Sequence, residues 1–185
     1  QNQKQIIYPA KHYLMDPELF KNVEQQIRDN EKKEAEELKK QNKLVEMQRL
    51  VRKVNYDLEM IKEVGYVNGI ENYSRYFDGR KIGDPPYSLI DYFNEAYGDQ
   101  WLLFIDESHM TVPQIRGMFN GDYSRKKTLI EFGFRLKASF DNRPLKFEEF
   151  YPKASKIIYI SATPNEWELE KSKIVEQLIR PTGII

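Results

Sequence analysis

Two short polar runs, each directly behind an apolar stretch, hold the residues best suited to chemistry. The first is Leu102-Leu103-Phe104-Ile105-Asp106-Glu107-Ser108-His109. An apolar strand that ends in Asp-Glu delivers two carboxylates to the C-terminal edge of a sheet, where open α/β folds bind ligands. In nucleotide hydrolases built this way the first carboxylate holds Mg²⁺, usually through water. The second orients and deprotonates the water that attacks the γ-phosphate. Asp106 and Glu107 are the candidate catalytic pair, with Asp106 as the metal ligand. The second run is Ser161-Ala162-Thr163-Pro164, behind Ile157-Ile158-Tyr159-Ile160. Small hydroxyl residues at a strand end can accept hydrogen bonds from the Asp-Glu-Ser-His turn and relay nucleotide state toward DNA. Either run alone is weak: Asp-Glu is common, and Ser-Ala-Thr-Pro is more often a turn that starts a helix. In this order, each at a strand end, they reinforce one another.

The elements that must position them read as α/β from Trp101 onward. Continuous apolar runs at 102–105 and 157–160 predict strands buried on both faces of a parallel sheet. Upstream the pattern is helical. Residues 6–14 form a short extended lead-in interrupted by Pro9, and His12 within it is read as a local packing or capping residue. Asp16-Pro17-Glu18 is a helix start, with Met15 and Phe20 as a hydrophobic staple. Apolar residues then recur at Phe20, Val23, Ile27, Ala35 and Leu38, and again at Leu44, Met47, Leu50, Val51, Val54, Leu58 and Ile61. Gly65 follows as a C-terminal cap. The polar break Lys39-Lys40-Gln41-Asn42 permits either a helical hairpin or one continuous helix. The charge-rich face of residues 28–43 reads as solvated. Gly79, Gly83 and Pro85-Pro86 mark loops between Gly65 and Gly98. The division predicted is a helical domain at 1–95 and an α/β part at 96–185.

Charge narrows the binding classes. Lys+Arg and Asp+Glu both number 29, so the chain has no global pull on nucleic acid, and DNA contact needs a local patch. Residues 110–147 offer one, with eight cations against three carboxylates and Phe119, Tyr123, Phe132, Phe134 and Phe140 between them. Rings and backbone-directed cations are the components of single-strand recognition. The competing reading makes the rings core and the cations a solvated rim. Arg116, Arg135 and Arg143 are the candidate DNA contacts, since guanidinium both pairs with phosphate and stacks on bases. Cysteine is absent, which excludes disulfides and thiolate metal sites and suits a reducing compartment. The two histidines lack spaced partners for a metal site. None of the nine glycines precedes a lysine, so the Gly-x-x-x-x-Gly-Lys phosphate loop is absent. The metal and base half of an ATP site is present without the phosphate-binding half. Gln1 and the closing Pro181-Thr182-Gly183-Ile184-Ile185 read as cuts in a longer chain.

Together these residues resemble the UvrB family of helicase-like DNA repair proteins. Asp106-Glu107-Ser108-His109 and Ser161-Ala162-Thr163-Pro164 resemble its helicase motifs II and III. The longer stretches are more specific: 56–80 (YDLEMIKEVGYVNGIENYSRYFDGR), 111–136 (TVPQIRGMFNGDYSRKKTLIEFGFRL), 141–150 (DNRPLKFEEF) and 176–185 (EQLIRPTGII). The likeness covers essentially the whole chain. It implies a helical domain followed by the later half of the first RecA-like motor domain of a superfamily 2 helicase. It implies ATP and Mg²⁺ as cofactors of the full-length protein, neither bound tightly by this segment alone. It implies damaged DNA, UvrA and UvrC as partners in a bacterial cytoplasm, without a membrane. In that scheme Ser108, His109, Ser161, Ala162 and Thr163 couple nucleotide state to DNA grip. Asn165-Glu166-Trp167 departs from the family's Gly-Pro-Tyr type of sequence at this turn. The rival readings are another superfamily 2 DNA helicase, which would share only the short motifs, and a non-enzymatic UvrB-like interaction module.

Overall fold

The structure is a computed structural model and describes residues 17–177. The lead-in at 6–14, His12, the Met15 half of the staple, the Asp16 cap and residues 178–185 lie outside the described residues. In chain order the elements are α1 (Pro17–Lys40), α2 (Leu44–Val64), α3 (Ser74–Asp78), α4 (Leu89–Tyr97), β1 (Leu103–Ile105), α5 (Ser108–Glu131), α6 (Phe147–Phe150), β2 (Ile157–Tyr159) and α7 (Glu166–Lys171). Among the described residues the chain is mostly helical, with one two-stranded parallel sheet. It divides into two compact units, Gln1–Tyr87 with Met118–Leu145, and Ser88–Gly117 with Lys146–Ile185.

The first unit is built on a hairpin of α1 and α2, which pack along one another. Of the two readings of the Lys39–Asn42 break, the structure takes the hairpin. Asn42 turns the chain at φ 60°, a left-handed conformation that Asn accepts more readily than most residues. The Lys43 amide then donates to the Leu38 carbonyl at 2.9 Å. Phe20, Val23 and Ile27 of α1 meet Leu50, Val54, Leu58 and Ile61 of α2 in one buried cluster. Each such side chain contributes about 1.5–3 kcal/mol on full burial. Leu44, first in the predicted apolar series of α2, stays exposed. Gly65 caps α2 at φ 75° with its amide on the Ile61 carbonyl at 2.9 Å, as the sequence predicts.

The charge-rich face of 28–43 is not simply solvated, and this corrects the sequence reading. Arg28 donates to Asn55 Oδ1 at 2.9 Å, and Asn30 donates to the Tyr76 hydroxyl at 2.8 Å. Glu34 accepts the Lys137 amide at 3.0 Å, Glu37 pairs with the Lys137 ammonium, and Glu31 is buried. Helical periodicity marks apolar faces only, so a polar face that docks other chain segments through carboxylates leaves no separate signal. Arg80 is similarly absorbed: it reaches Asp78 at 2.7 Å, the Asp141 carbonyl at 2.8 Å and Ser74 Oγ at 2.8 Å.

The second unit holds the sheet. Leu103 pairs with Ile157, Phe104 with Ile158 and Ile105 with Tyr159, all in parallel. Ile105 is buried, but Phe104 is 59% exposed and Ile158 42%, with Leu102 and Ile160 also open. The expectation of burial on both faces is therefore corrected: one face is uncovered, because among the described residues nothing packs over it. The helices after α2 went unpredicted, and two of them, α4 and α5, flank the first strand. α4 is capped by Ser88, whose amide and hydroxyl both donate to Asp91 Oδ2 at 2.7 Å. α5 runs through Pro113, which lacks the amide to bond the His109 carbonyl.

Candidate functional site

Parallel pairing sends both polar runs out of the same end of the sheet. The link is direct: the Ile160 amide donates to the Ile105 carbonyl at 2.9 Å, and the Ser108 amide donates to the Ile160 carbonyl at 3.0 Å. Asp106 and Glu107 therefore begin their turn beside Ser161-Ala162-Thr163-Pro164. His109 Nδ1 and Ser161 Oγ share a hydrogen bond at 2.7 Å, whose direction follows the ring tautomer. Ser161 Oγ also accepts the Thr163 amide at 3.1 Å, and Glu107 lies 3.5 Å from His109 Nδ1. Ala162 and Thr163 are exposed. Thus Asp106, Glu107, Ser108, His109 and Ser161–Thr163 come together as one cluster.

The two carboxylates are open to solvent. Asp106 Oδ1 accepts the Glu107 amide at 3.0 Å, and the Glu107 side chain is 66% exposed. Among the described residues no three potential ligands converge as a closed metal cage. The donor set instead suits Mg²⁺, which keeps most of its waters and takes one or two carboxylates along with phosphate oxygens. Glu107 stands at φ 44°, a left-handed backbone that is strained for a residue with a side chain.

Two residues of the cluster were not identified from the sequence. Asn165, the N-cap of α7, donates Nδ2–H to the His109 carbonyl at 3.0 Å, the acceptor that Pro113 leaves without its helical partner. Glu168, 3% exposed, accepts the Asn165 amide at 2.5 Å and the Ser108 hydroxyl. The Asn165-x-x-Glu168 spacing is a capping-box signature and was the available signal. The departure at Asn165-Glu166-Trp167 thus still closes a turn: Asn165 caps it. Trp167 packs edge-on to Phe147 and Tyr151 at 5.3 and 5.5 Å.

The candidate DNA-contacting arginines fall in different settings. Arg116, in the second unit, stands 4.7 Å from the Phe147 ring and 4.4 Å from the Trp167 ring. Arg135 and Arg143 belong to the first unit. Burial, then repulsion from Arg125, holds the Arg135 guanidinium below its usual range. Arg143 lies 5.2 Å over Phe119 and donates to the Gly83 carbonyl at 3.1 Å. Nearby, Tyr123 stacks on Phe140 at 4.9 Å. Lys126, only 2% exposed, pairs with Asp122 at 2.6 Å.

The helical hairpin matches a known domain type: residues 18–79 fit the family model of the UvrB third helical domain. Over 181 residues the chain is 55% identical to the UvrABC system protein B of Kosmotoga olearia and 56% identical to that of Nostoc sp., covering 97% of this chain in each case. The counterpart from Thermotoga maritima is 52% identical over 98% of this chain. The chain belongs to the UvrB family. It spans 27% of the length of each of these relatives.

Proposed function

We propose that this chain is an internal part of an ATP-dependent DNA damage-recognition subunit of the UvrABC excinuclease, one that verifies lesions on DNA delivered by UvrA and recruits UvrC for incision. The observation that carries the reading is the meeting of the two strand-end motifs, with His109 and Ser161 joined at 2.7 Å beside two open carboxylates. In this reading residues 96–185 include the later half of a first RecA-like motor domain. Residues 1–95 are assigned to the helical domain; in the structure residues up to Tyr87 share a compact unit with 118–145, and Ser88 onward belongs to the second unit. The uncovered apolar face of the two-stranded sheet supports a further layer packed over it in the whole protein, as parallel sheets are covered on both faces.

Asp106 is the residue that would hold Mg²⁺ accompanying ATP, and that ion, when bound, neutralises charge gathering on the phosphate oxygens. Glu107 orients the attacking water and takes its proton. His109 and Ser161 pass the state of the site toward the DNA-gripping surface, to which we assign Arg116, Arg135 and Arg143. Support for those three is the local excess of cations in a neutral chain. Such a protein works in the bacterial cytoplasm; among the described residues no helix is long and apolar enough to cross a membrane.

The test uses full-length protein carrying this segment, with UvrA, ATP and a lesion-bearing duplex. Ser161→Ala is expected to keep nucleotide affinity and lose the ATP-dependent stable complex on damaged DNA. If the variant loads as its parent does, the coupling assigned to the motif pair is wrong.

A further inference from the structure

We infer that Glu168 is a positioning residue for Glu107, acting through Ser108. The inference rests on the reading of Glu107 as the base, and it begins from the backbone of that residue. A left-handed conformation at a non-glycine residue costs on the order of 1–2 kcal/mol, and it persists only where the surroundings impose it. Nothing on the Glu107 side chain does so, since that side chain is mostly in solvent and its near neighbour is His109 at 3.5 Å. The constraint lies in the backbone: the Glu107 amide donates to Asp106 Oδ1 at 3.0 Å, and its carbonyl accepts the Met110 and Thr111 amides at 2.8 and 3.0 Å. The next residue along the chain anchors the turn to the rest of the unit.

Ser108 has no exposed surface. Its amide is tied to the Ile160 carbonyl at 3.0 Å and its hydroxyl donates to Glu168 Oε1. Glu168 in turn is buried and uses its other oxygen on the Asn165 amide at 2.5 Å. Asn165 closes the ring by donating to the His109 carbonyl at 3.0 Å. Three hydrogen bonds through Glu168 and Asn165, closed by the peptide link between Ser108 and His109, thus grip the turn on its C-terminal side. A buried carboxylate is costly unless hydrogen-bonded. A cap for a helix as short as α7 does not by itself require a buried one. The second oxygen, on Ser108, is what joins the α7 cap to the strained turn. Any shift of α7 relative to β2 therefore reaches Glu107 through two hydrogen bonds.

The experiment uses full-length protein carrying this segment and compares Glu168→Ala, Glu168→Gln, Ser108→Ala, the Ser108→Ala/Glu168→Ala double variant and Glu107→Gln. Steady-state ATP hydrolysis gives kcat and KM, nucleotide binding is measured separately, and thermal melts check folding. Glu168→Ala and Ser108→Ala are each expected to lower kcat about tenfold or more, the scale of loss from a small misplacement of a reacting group. Nucleotide affinity should stay within about twofold, because only transition-state positioning is lost. The double variant should be no worse than the worse single one, as expected for two parts of one link. Glu168→Gln should recover part of kcat, since its amide can still bond the Ser108 hydroxyl. If Glu168→Ala fails to fold, Ser108→Ala, which removes one hydroxyl, carries the same test. Unchanged kcat in Ser108→Ala with turnover lost in Glu107→Gln overturns the inference and leaves the base assignment standing. Normal turnover in Glu107→Gln overturns both.

Discussion

Gly133→Ala is expected to be among the more damaging single-methyl changes in the first unit, and the structure permits its cost to be divided. Gly133 closes α5 at φ 73°, and a Cβ built on it would sit 2.1 Å from the Glu46 carbonyl oxygen, 2.8 Å from that carbonyl carbon and 2.9 Å from the Glu46 Cα. All three are backbone atoms of α2, so no side chain can swing aside. Arg49 secures the same contact, donating to the Phe132 carbonyl at 2.5 Å and lying 4.4 Å over the Phe134 ring. The left-handed backbone costs a side-chain-bearing residue about 1–2 kcal/mol. Forcing a methyl group into a filled contact costs about 1–3 kcal/mol more. Gly65 supplies the control, because its φ of 75° is equivalent while its Cβ would meet nothing within 4 Å. Gly65→Ala should show the backbone cost alone, and Gly133→Ala should exceed it by about 1–3 kcal/mol. Urea unfolding followed by far-UV circular dichroism measures both. Equal losses in the two variants would refute the claimed contact.

The remaining expectations concern titration and DNA. Burial pushes the Glu34 carboxyl up from 4.5 to about 7, against the lowering pull of the Lys137 amide and ammonium. Because the folded value is the higher one, its contribution to stability is fully present below the unfolded value and is lost as pH rises through the folded one. Glu34→Gln should therefore raise the melting temperature at pH 8 and make little difference near pH 4.5, and a difference that is flat across that range would contradict the assignment. In full-length protein, replacing Arg116, Arg135 or Arg143 by Ala should flatten the salt dependence of damaged-DNA binding by about 1 unit of slope each. Unchanged affinity and slope in all three would make the stretch at 110–147 a solvated rim.

The parts of the molecule visible in the sequence were those with a periodic or terminal signal. The apolar stripes of α1 and α2, the Gly65 cap and the two short strands followed from spacing alone. So did the arrival of Asp106 and Ser161 at one sheet end, since parallel strands bring their C-terminal residues together. α5 was missed because its apolar residues do not gather on one face and Pro113 argues against a helix there. Asn165, more than 50 positions later, supplies the donor that the proline lacks. Lys126 reads as a surface cation in sequence, yet it is buried against Asp122. Glu168 looked like one more charge in Glu166-Trp167-Glu168-Leu169-Glu170. Its burial depends on Ser108, a partner 60 residues away that no local pattern marks.

The central assignment, Asp106 and Glu107 as the working carboxylates of an ATP site, is tested most directly by Glu107→Gln in full-length protein carrying this segment. Nucleotide binding and steady-state turnover should be measured on the same preparation. Binding is expected to remain while turnover falls by roughly two or more orders of magnitude, the usual scale for loss of a general base. Binding that fails, with normal turnover per bound nucleotide, would make Glu107 a structural residue and contradict the assignment.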